Sequence, residues 1–354
     1  MSADAPRRTR LSVAVVQGGP SAEAEVSRAS ARAVADALKE AGHAVVRVEL
    51  DGYLAESIRT GGYDVVFPAV HGAVGEDGAL QGLLEVLDVP YVGSRVLPSA
   101  LAMDKRSARR VFAEAGLPIA RGLAAVRGVA TSLAVAERAR RDIGARLVVK
   151  PAASGSAIGV ARLDASATDA DVAAAIDAAW ALDDVAIVEH FARGREVTCG
   201  VLDAGDALER PLDRMHDRKS LGARAFPPTE ILTPSDAFYT YQARYAPGRS
   251  VHQCPAALDA SVTARVQAIA VAAHEALGCR DLSRADFVVG DDDDASAITL
   301  LEVNTMPGFT GTSLYPEAAA AAGLSFPALC DALVRSAHTR GTIRRNAPLP
   351  LPRS

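Results

Sequence analysis

Two carboxylates, an asparagine and an arginine near the end of the chain have a spacing that can do chemistry. Residues 283–289 alternate polar and apolar, so a strand there puts Arg284, Asp286 and Val288 on one face and Ala285, Phe287 and Val289 on the other. The run from Gly290 to Asp294 is polar and turn-prone, and 298–303 again reads as a strand, so the segment is expected to be a β-hairpin. With its centre near Asp294, Asp286 lies opposite Glu302, Arg284 lies opposite Asn304, and Glu302 and Asn304 share a face. Hard oxygen ligands at that density suit Mg²⁺, which is commonly held by a few carboxylates and the phosphates of a nucleotide. The same spacing is met by an Arg284–Asp286 ion pair beside a solvated Glu302, and residues 291–294 alone read as a solvated loop tip. After Glu302 the chain leaves through Asn-Thr-Met-Pro-Gly-Phe-Thr-Gly-Thr-Ser-Leu (304–314). Backbone N–H groups and hydroxyls of such a Pro-Gly turn can bind a carboxylate or a developing oxyanion, although the string in isolation is an ordinary turn.

A second constellation begins at Lys150, which ends a strand directly before the small-residue loop Pro-Ala-Ala-Ser-Gly-Ser-Ala-Ile-Gly (151–159). Backbone N–H groups of such a loop can approach phosphates while the ammonium supplies charge. It is not a Walker A loop, because the lysine precedes the glycines, and a plain mobile connection is the simpler reading of the string alone. The Gly18-Gly19 turn lacks the GxGxxG fingerprint of a dinucleotide fold. Residues 185–191 end a strand in Glu189 and lead through Gly194 to Glu196, a strand–linker–strand that can read an adenine with backbone amides and a ribose with carboxylates.

The elements that must hold these groups follow from periodicity. Residues 11–16, 44–50, 64–70 and 90–92 read as strands, with helices over 26–38 and near 80–87, a β/α alternation that predicts a doubly wound parallel sheet. A single helix is expected over 99–115, closed by Gly116 and Pro118. Short strands (119–125, 147–150, 158–163, 185–189) then interleave with helices at 131–143 and 168–180. Beyond Glu196 come longer strands, a helix near 258–277, the hairpin and a last helix from Ser325. The fold class is therefore α/β followed by α+β. The expected division is 1–104, 105–195 and 196–345, with a tail over 346–354. At 354 residues and 49% hydrophobic content the chain is long enough for such domains. Its net charge of −5 offers no field for nucleic acid. The Arg-rich start is followed by an apolar run too short for a signal or a membrane span, so a cytoplasmic protein is expected. Four cysteines without CxxC spacing and dispersed histidines without HExxH predict neither a zinc site nor a disulfide framework.

Taken in order, GGPSAEAEVS (18–27), HGAVGEDGALQG (71–82), SALAMDK (99–105), VVKPAASGSAIG (148–159), YQARY (241–245), CPA (254–256), SRADF (283–287) and LLEVNTMPGFTGTSL (300–314) resemble the ATP-grasp superfamily and, within it, the D-alanine–D-alanine ligases. The resemblance implies a three-domain ATP-grasp architecture and ATP-dependent joining of two D-alanines through an acylphosphate. Lys105 and Lys150 would then hold the ATP phosphates, with Glu189 and Glu196 at the adenine and ribose. Asp286, Glu302 and Asn304 would bind two Mg²⁺ ions, or Mn²⁺ in their place. Glu23 would receive the ammonium of the first D-alanine, linked by hydrogen bonds to Ser156 and Tyr245, with His71 lining that site. Arg284 and the Gly308 N–H would polarise the acyl group, while Ser313 and Leu314 would dock the second substrate's carboxylate. Members of the family are commonly homodimers; the apolar helix near 80–87 could be such a surface or simply core.

Three positions depart from the family's usual pattern. Ala157 stands where a second flap serine is usual, and His190 where a lysine is. Arg244, grouped with the nucleotide-binding side chains, stands for a lysine, keeping charge but not geometry. Residues 211–224 look inserted, as a loop or as a lid. These departures keep open a ligase of secondary metabolism joining other amino or hydroxy acids, and more remotely a nucleotide-binding regulator without turnover.

Overall fold

The structure is a computed structural model that describes residues 9–205, 222–233, 250–290, 297–311 and 313–342. It opens with a parallel sheet of β1 (Ser12–Gln17), β2 (Ala44–Glu49) and β3 (Val65–Pro68) in the order β2-β1-β3. Every residue of β1 between its ends is buried, because the sheet is covered on both faces. Val13 and Val15 pack on one side, with Val34 and Leu38 of α1 (Ala24–Glu40). Ala14 and Val16 pack on the other, with Leu54 and Ile58 of α2 (Leu54–Gly61) and Leu80 and Leu84 of α3 (Ala79–Val86). This is the doubly wound sheet expected from the sequence. The strand expected at 90–92 is reduced to a single parallel bridge, Val66 to Tyr91. Leu80 and Leu84 of α3 lie in the core, while Val86 on the same helix is exposed.

The helix expected over 99–115 is two helices, α4 (Val96–Met103) and α5 (Lys105–Glu114). Asp104 breaks it: its backbone is extended (φ −85°, ψ 100°), and its side chain accepts from the Ser107 N–H at 2.8 Å as the cap of α5. An alanine-rich stretch hides this break from periodicity. Lys105 thereby becomes the first residue of α5, its N–H donating to the Ala152 carbonyl at 3.0 Å.

An antiparallel sheet follows, β4-β7-β5-β6, built from β4 (Gly122–Val126), β5 (Leu147–Pro151), β6 (Ala161–Leu163) and β7 (Val185–His190). Helices α6 (Ser132–Asp142) and α7 (Asp169–Trp180) cover one of its faces. The strand expected from Ile158 starts three residues later, since Ser156, Ala157 and Gly159 take left-handed φ values of 51°, 56° and 73°.

The third sheet contains β8 (Arg195–Asp203), β9 (Arg224–Ala225), β10 (Thr229–Leu232), β11 (Val251–Gln253), β12 (Asp281–Val289) and β13 (Ile298–Asn304). Helix α8 (Ala260–Leu277) and Phe112 of α5 pack on Ala285, Phe287, Val289 and Leu300, which leaves the other face of the hairpin for the site. Two helices end the chain: α9 (Leu314–Ala321), which periodicity did not reveal, and α10 (Phe326–Arg340). Helix α10 returns to the first sheet, with Leu329 and Leu333 in the core it shares with α1. No single helix among the described residues is long and apolar enough to cross a membrane.

Candidate active site

The hairpin has the register expected from alternation: Arg284 pairs with Asn304 and Asp286 with Glu302. Beyond Asp286 a bulge shifts the pairing, so that Phe287 opposes Leu300. The extra residue lets Leu301 and Glu302 line the same cavity, which strict alternation does not allow. Arg284 spans Asp286 with both oxygens engaged, Nε and Nη2 each donating at 2.8 Å. The Thr198 hydroxyl donates to the same carboxylate at 2.8 Å, and Asn304 Nδ2 lies at 3.4 Å. The ion pair and the shared carboxylate face are therefore both present.

Two cavities meet at this hairpin. One is lined by Lys105, Lys150, Glu189, Glu196, Leu301 and Glu302 among others. The other contains Glu23, His71, Ser156, Arg284, Asn304, Gly308, Ser313 and Leu314, and it too reaches Glu302. Positions scattered from Glu23 to Leu314 thus converge on two adjoining clefts. Asp286 stands behind Arg284 without lining either. Tyr245, Arg244 and most of the 211–224 segment lie outside the described residues.

Three cations and three acids organise the first cleft. Lys105 Nζ lies 3.2 Å from Glu302 Oε2 and donates to the Ser154 carbonyl at 2.7 Å. Lys150 reaches Glu189 at 2.5 Å, and Arg162 reaches Glu196 at 2.9 Å while its guanidinium lies over the Phe191 ring at 5.0 Å. Burial lowers the Arg162 pKa from its ordinary value, opposed by the charge of Glu196. Arg162 and Phe191 were not singled out from the sequence, since one basic residue after a loop carries no signal.

In the second cleft the flap touches the N-terminal turn: Ser156 Oγ donates to Glu23 Oε1 at 2.5 Å. Behind this pair His71 Nε2 is 3.0 Å from Ser30 Oγ, and its Nδ1 is 3.6 Å from Glu76. Burial holds the Glu76 carboxyl above the usual carboxylate range, against the opposing pull of His71. Glu76 is a site residue that the sequence reading missed, since an acid in a glycine-rich stretch looks like solvated loop. Ser313 caps α9 and Leu314 is its first residue, so the helix N-terminus opens on the cleft, an arrangement that favours a carboxylate.

A parallel sheet, a lysine-headed flap over a second sheet and a carboxylate hairpin in a third define an ATP-grasp ligase. The models described as "D-ala D-ala ligase C-terminus" and "D-ala D-ala ligase N-terminus" match residues 111–335 and 54–94. The D-alanine–D-alanine ligase of Acidiphilium cryptum is 43% identical over 93% of this chain and 99% of its own, and that of Gluconobacter oxydans 41% over 93% and 100%. Among solved structures, the D-alanine–D-alanine ligase of Coxiella burnetii superposes with a TM-score of 0.73 at 29% identity, covering 94% of this chain and 96% of that one. The Bacillus anthracis enzyme complexed with ATP has the same fold, with a TM-score of 0.75 at 24% identity over 93% and 98%. The chain belongs to the D-alanine–D-alanine ligase family and is an ATP-dependent ligase.

Proposed function

We propose that the protein joins two D-alanines into D-alanyl-D-alanine for peptidoglycan precursor synthesis, with ADP and phosphate as the other products. The observation that carries this reading is the sharing of Glu302 by the two clefts, which makes them adjoin as a nucleotide site and an amino-acid site must if phosphate is to pass between them. A carboxylate is a poor electrophile, so the first D-alanine attacks the γ-phosphorus and expels ADP. The amine of the second then attacks the acyl carbon, and phosphate leaves. Lys105 and Lys150 meet the phosphates, and Glu23, held by Ser156, receives the first ammonium. Arg284 and the Gly308 N–H draw charge from the acyl oxygen. The end of α9 at Ser313 and Leu314 receives the second carboxylate. Closure of the flap on Glu23 keeps water from the acylphosphate.

Asp286, Glu302 and Asn304 fit two Mg²⁺ ions, or Mn²⁺, because all three offer oxygen on one hairpin face and both carboxylates already sit against cations. Among the described residues no group of three or more acids, histidines or cysteines is placed to hold a metal ion. Such ions, when bound, would offset phosphate charge. The three-domain division at 104 and 195, a homodimer and a cytoplasmic site of action, where ATP is available, belong to the same reading. Light scattering tests the dimer.

ATP, Mg²⁺ and D-alanine should yield phosphate and dipeptide in equal amounts; neither product means that the reading is wrong. ADP release across a panel of amino and hydroxy acids tests the second substrate, the question that the departures at Ala157 and Arg244 raise. Glu302→Ala should abolish turnover, by about a thousandfold or more, since it removes a shared metal ligand. Retained activity would contradict the metal assignment.

A further inference from the structure

Glu189 carries one cation on each oxygen. Lys150 Nζ lies 2.5 Å from Oε1, and Arg109 Nη1 donates to Oε2 at 2.6 Å. The carboxylate is 5% exposed, so it cannot rely on water to stabilise its charge. The two cations differ in what they can do. Lys150 lines the nucleotide cleft, at the head of the flap, on a flexible stem. Arg109 does not line that cleft. It is fixed from behind, where Nη2 donates to the Ala120 carbonyl at 2.6 Å, and its planar fork is pre-organised for this geometry.

The sheet is built to admit this arginine. Gly122 pairs with Glu189 across β4 and β7. A Cβ on Gly122 would lie 2.9 Å from Arg109 Nη2, 2.9 Å from Glu189 Cβ and 2.7 Å from the Val188 carbonyl oxygen. Its φ is not left-handed, so the glycine answers to close approach and not to a turn. Helix α5 meanwhile carries Lys105 and Arg109 one turn apart on one side, so a single element delivers a phosphate-facing ammonium and the fixed guanidinium.

We propose that Arg109 is a positioning residue for nucleotide binding, the permanent counter-ion of Glu189 that frees Lys150 to leave this carboxylate for the phosphates. This rests on the reading of Lys150 as a phosphate ligand. While Lys150 is paired, Glu189 is doubly compensated. When the lysine swings to a phosphate, Arg109 keeps the buried carboxylate from being left alone, a state strongly disfavoured in a desolvated site. Without Arg109, the departure of Lys150 would strand the charge, and the lysine would stay where it is.

The test is direct binding of ATP with Mg²⁺ by calorimetry, alongside steady-state KM values for ATP and D-alanine. Arg109→Met should weaken ATP binding by about tenfold or more, leave the KM for D-alanine within about twofold, and keep the thermal transition sharp. Arg109→Lys, which keeps the charge but loses the fork, should recover most of that loss. If the Met variant does not fold, Arg109→Gln, which can still donate to Glu189 and Ala120, carries the same comparison. ATP affinity unchanged in the uncharged variant, an equal loss in the Lys variant, or a parallel loss of D-alanine affinity would each overturn the proposal. A wild-type protein that binds no ATP would instead refute the nucleotide reading beneath it.

Discussion

Glu76 illustrates how much of the chemistry depends on what surrounds a residue. Its side chain faces His71, lines the same cleft as Glu23, and accepts from the Gly72 N–H at 3.2 Å. Burial raises its pKa from the ordinary carboxylate value. A group whose folded pKa lies above its unfolded one holds its proton more tightly when folded. The stability this gives is complete below the unfolded value and is lost as pH rises through the folded one. Glu76→Gln removes that titration. Urea unfolding at pH values stepped upward from the ordinary carboxylate pKa should therefore show the wild type losing stability relative to the variant as pH rises. A flat or inverted difference would exclude the burial effect. The residues that could be read beforehand were those whose neighbours in sequence also frame them. Asp286 and Glu302 stand on alternating strands around a polar turn, so their facing follows from the pleat alone. Glu76 and Arg109 depend on partners from elsewhere in the chain. Arg109 sits within Lys-Arg-Ser-Ala-Arg-Arg, which resembles a solvated helix face.

At the scale of elements, what alternation could not carry is the single irregular residue. The bulge beside Asp286 and the break at Asp104 each change the direction of a side chain that matters, and neither alters the hydrophobic pattern around it. Helix α9 was hidden for a related reason, since Leu-Tyr-Pro-Glu-Ala-Ala-Ala-Ala has almost no polar face to set a period. The break at Asp104 is the most testable of the three. Asp104→Ala removes the acceptor for the Ser107 N–H and should lower stability by about 1 kcal/mol. Since Lys105 is the next residue and is held against Ser154 and Glu302, fraying there should also raise the KM for ATP several-fold. Asp104→Ser, a comparable cap, should restore both. Thermal denaturation and ATP titration of the two variants separate this from a role of the Asp104 charge, for which serine would not substitute.

Across the whole molecule, the cleft proposed for the amino acid needs the N-terminal part, which brings Glu23 and His71, to be held against the strand that brings Arg284. The chain does this with its last helix. Asp281, fully buried at the start of β12 with a left-handed φ of 62°, takes both Arg340 nitrogens, Nη1 at 2.5 Å and Nη2 at 2.9 Å. The same carboxylate accepts from Ser336 Oγ at 3.1 Å and from the Gly93 N–H at 2.8 Å. Arg340 also donates to the Tyr91 carbonyl at 3.0 Å, and Arg280 to that of Gly93 at 2.6 Å. Residues 91–93 follow the first sheet, Asp281 opens the β12–β13 hairpin three residues before Arg284, and Arg340 closes α10. One buried carboxylate thus joins three distant parts of the chain. Arg340→Met would leave that charge without its main partner, at a cost of about 3–5 kcal/mol. The loss should not be confined to stability. Glu23 and Arg284 lie on the two parts of the chain that this clamp joins, whereas Lys150 lies on a different sheet. The KM for D-alanine should therefore rise by about tenfold while that for ATP changes little. Asp281→Asn combined with Arg340→Met removes the stranded charge and should recover stability without recovering the KM, because charge balance is restored but the clamp is not. Equal recovery of both would mean that Arg340 matters only for folding.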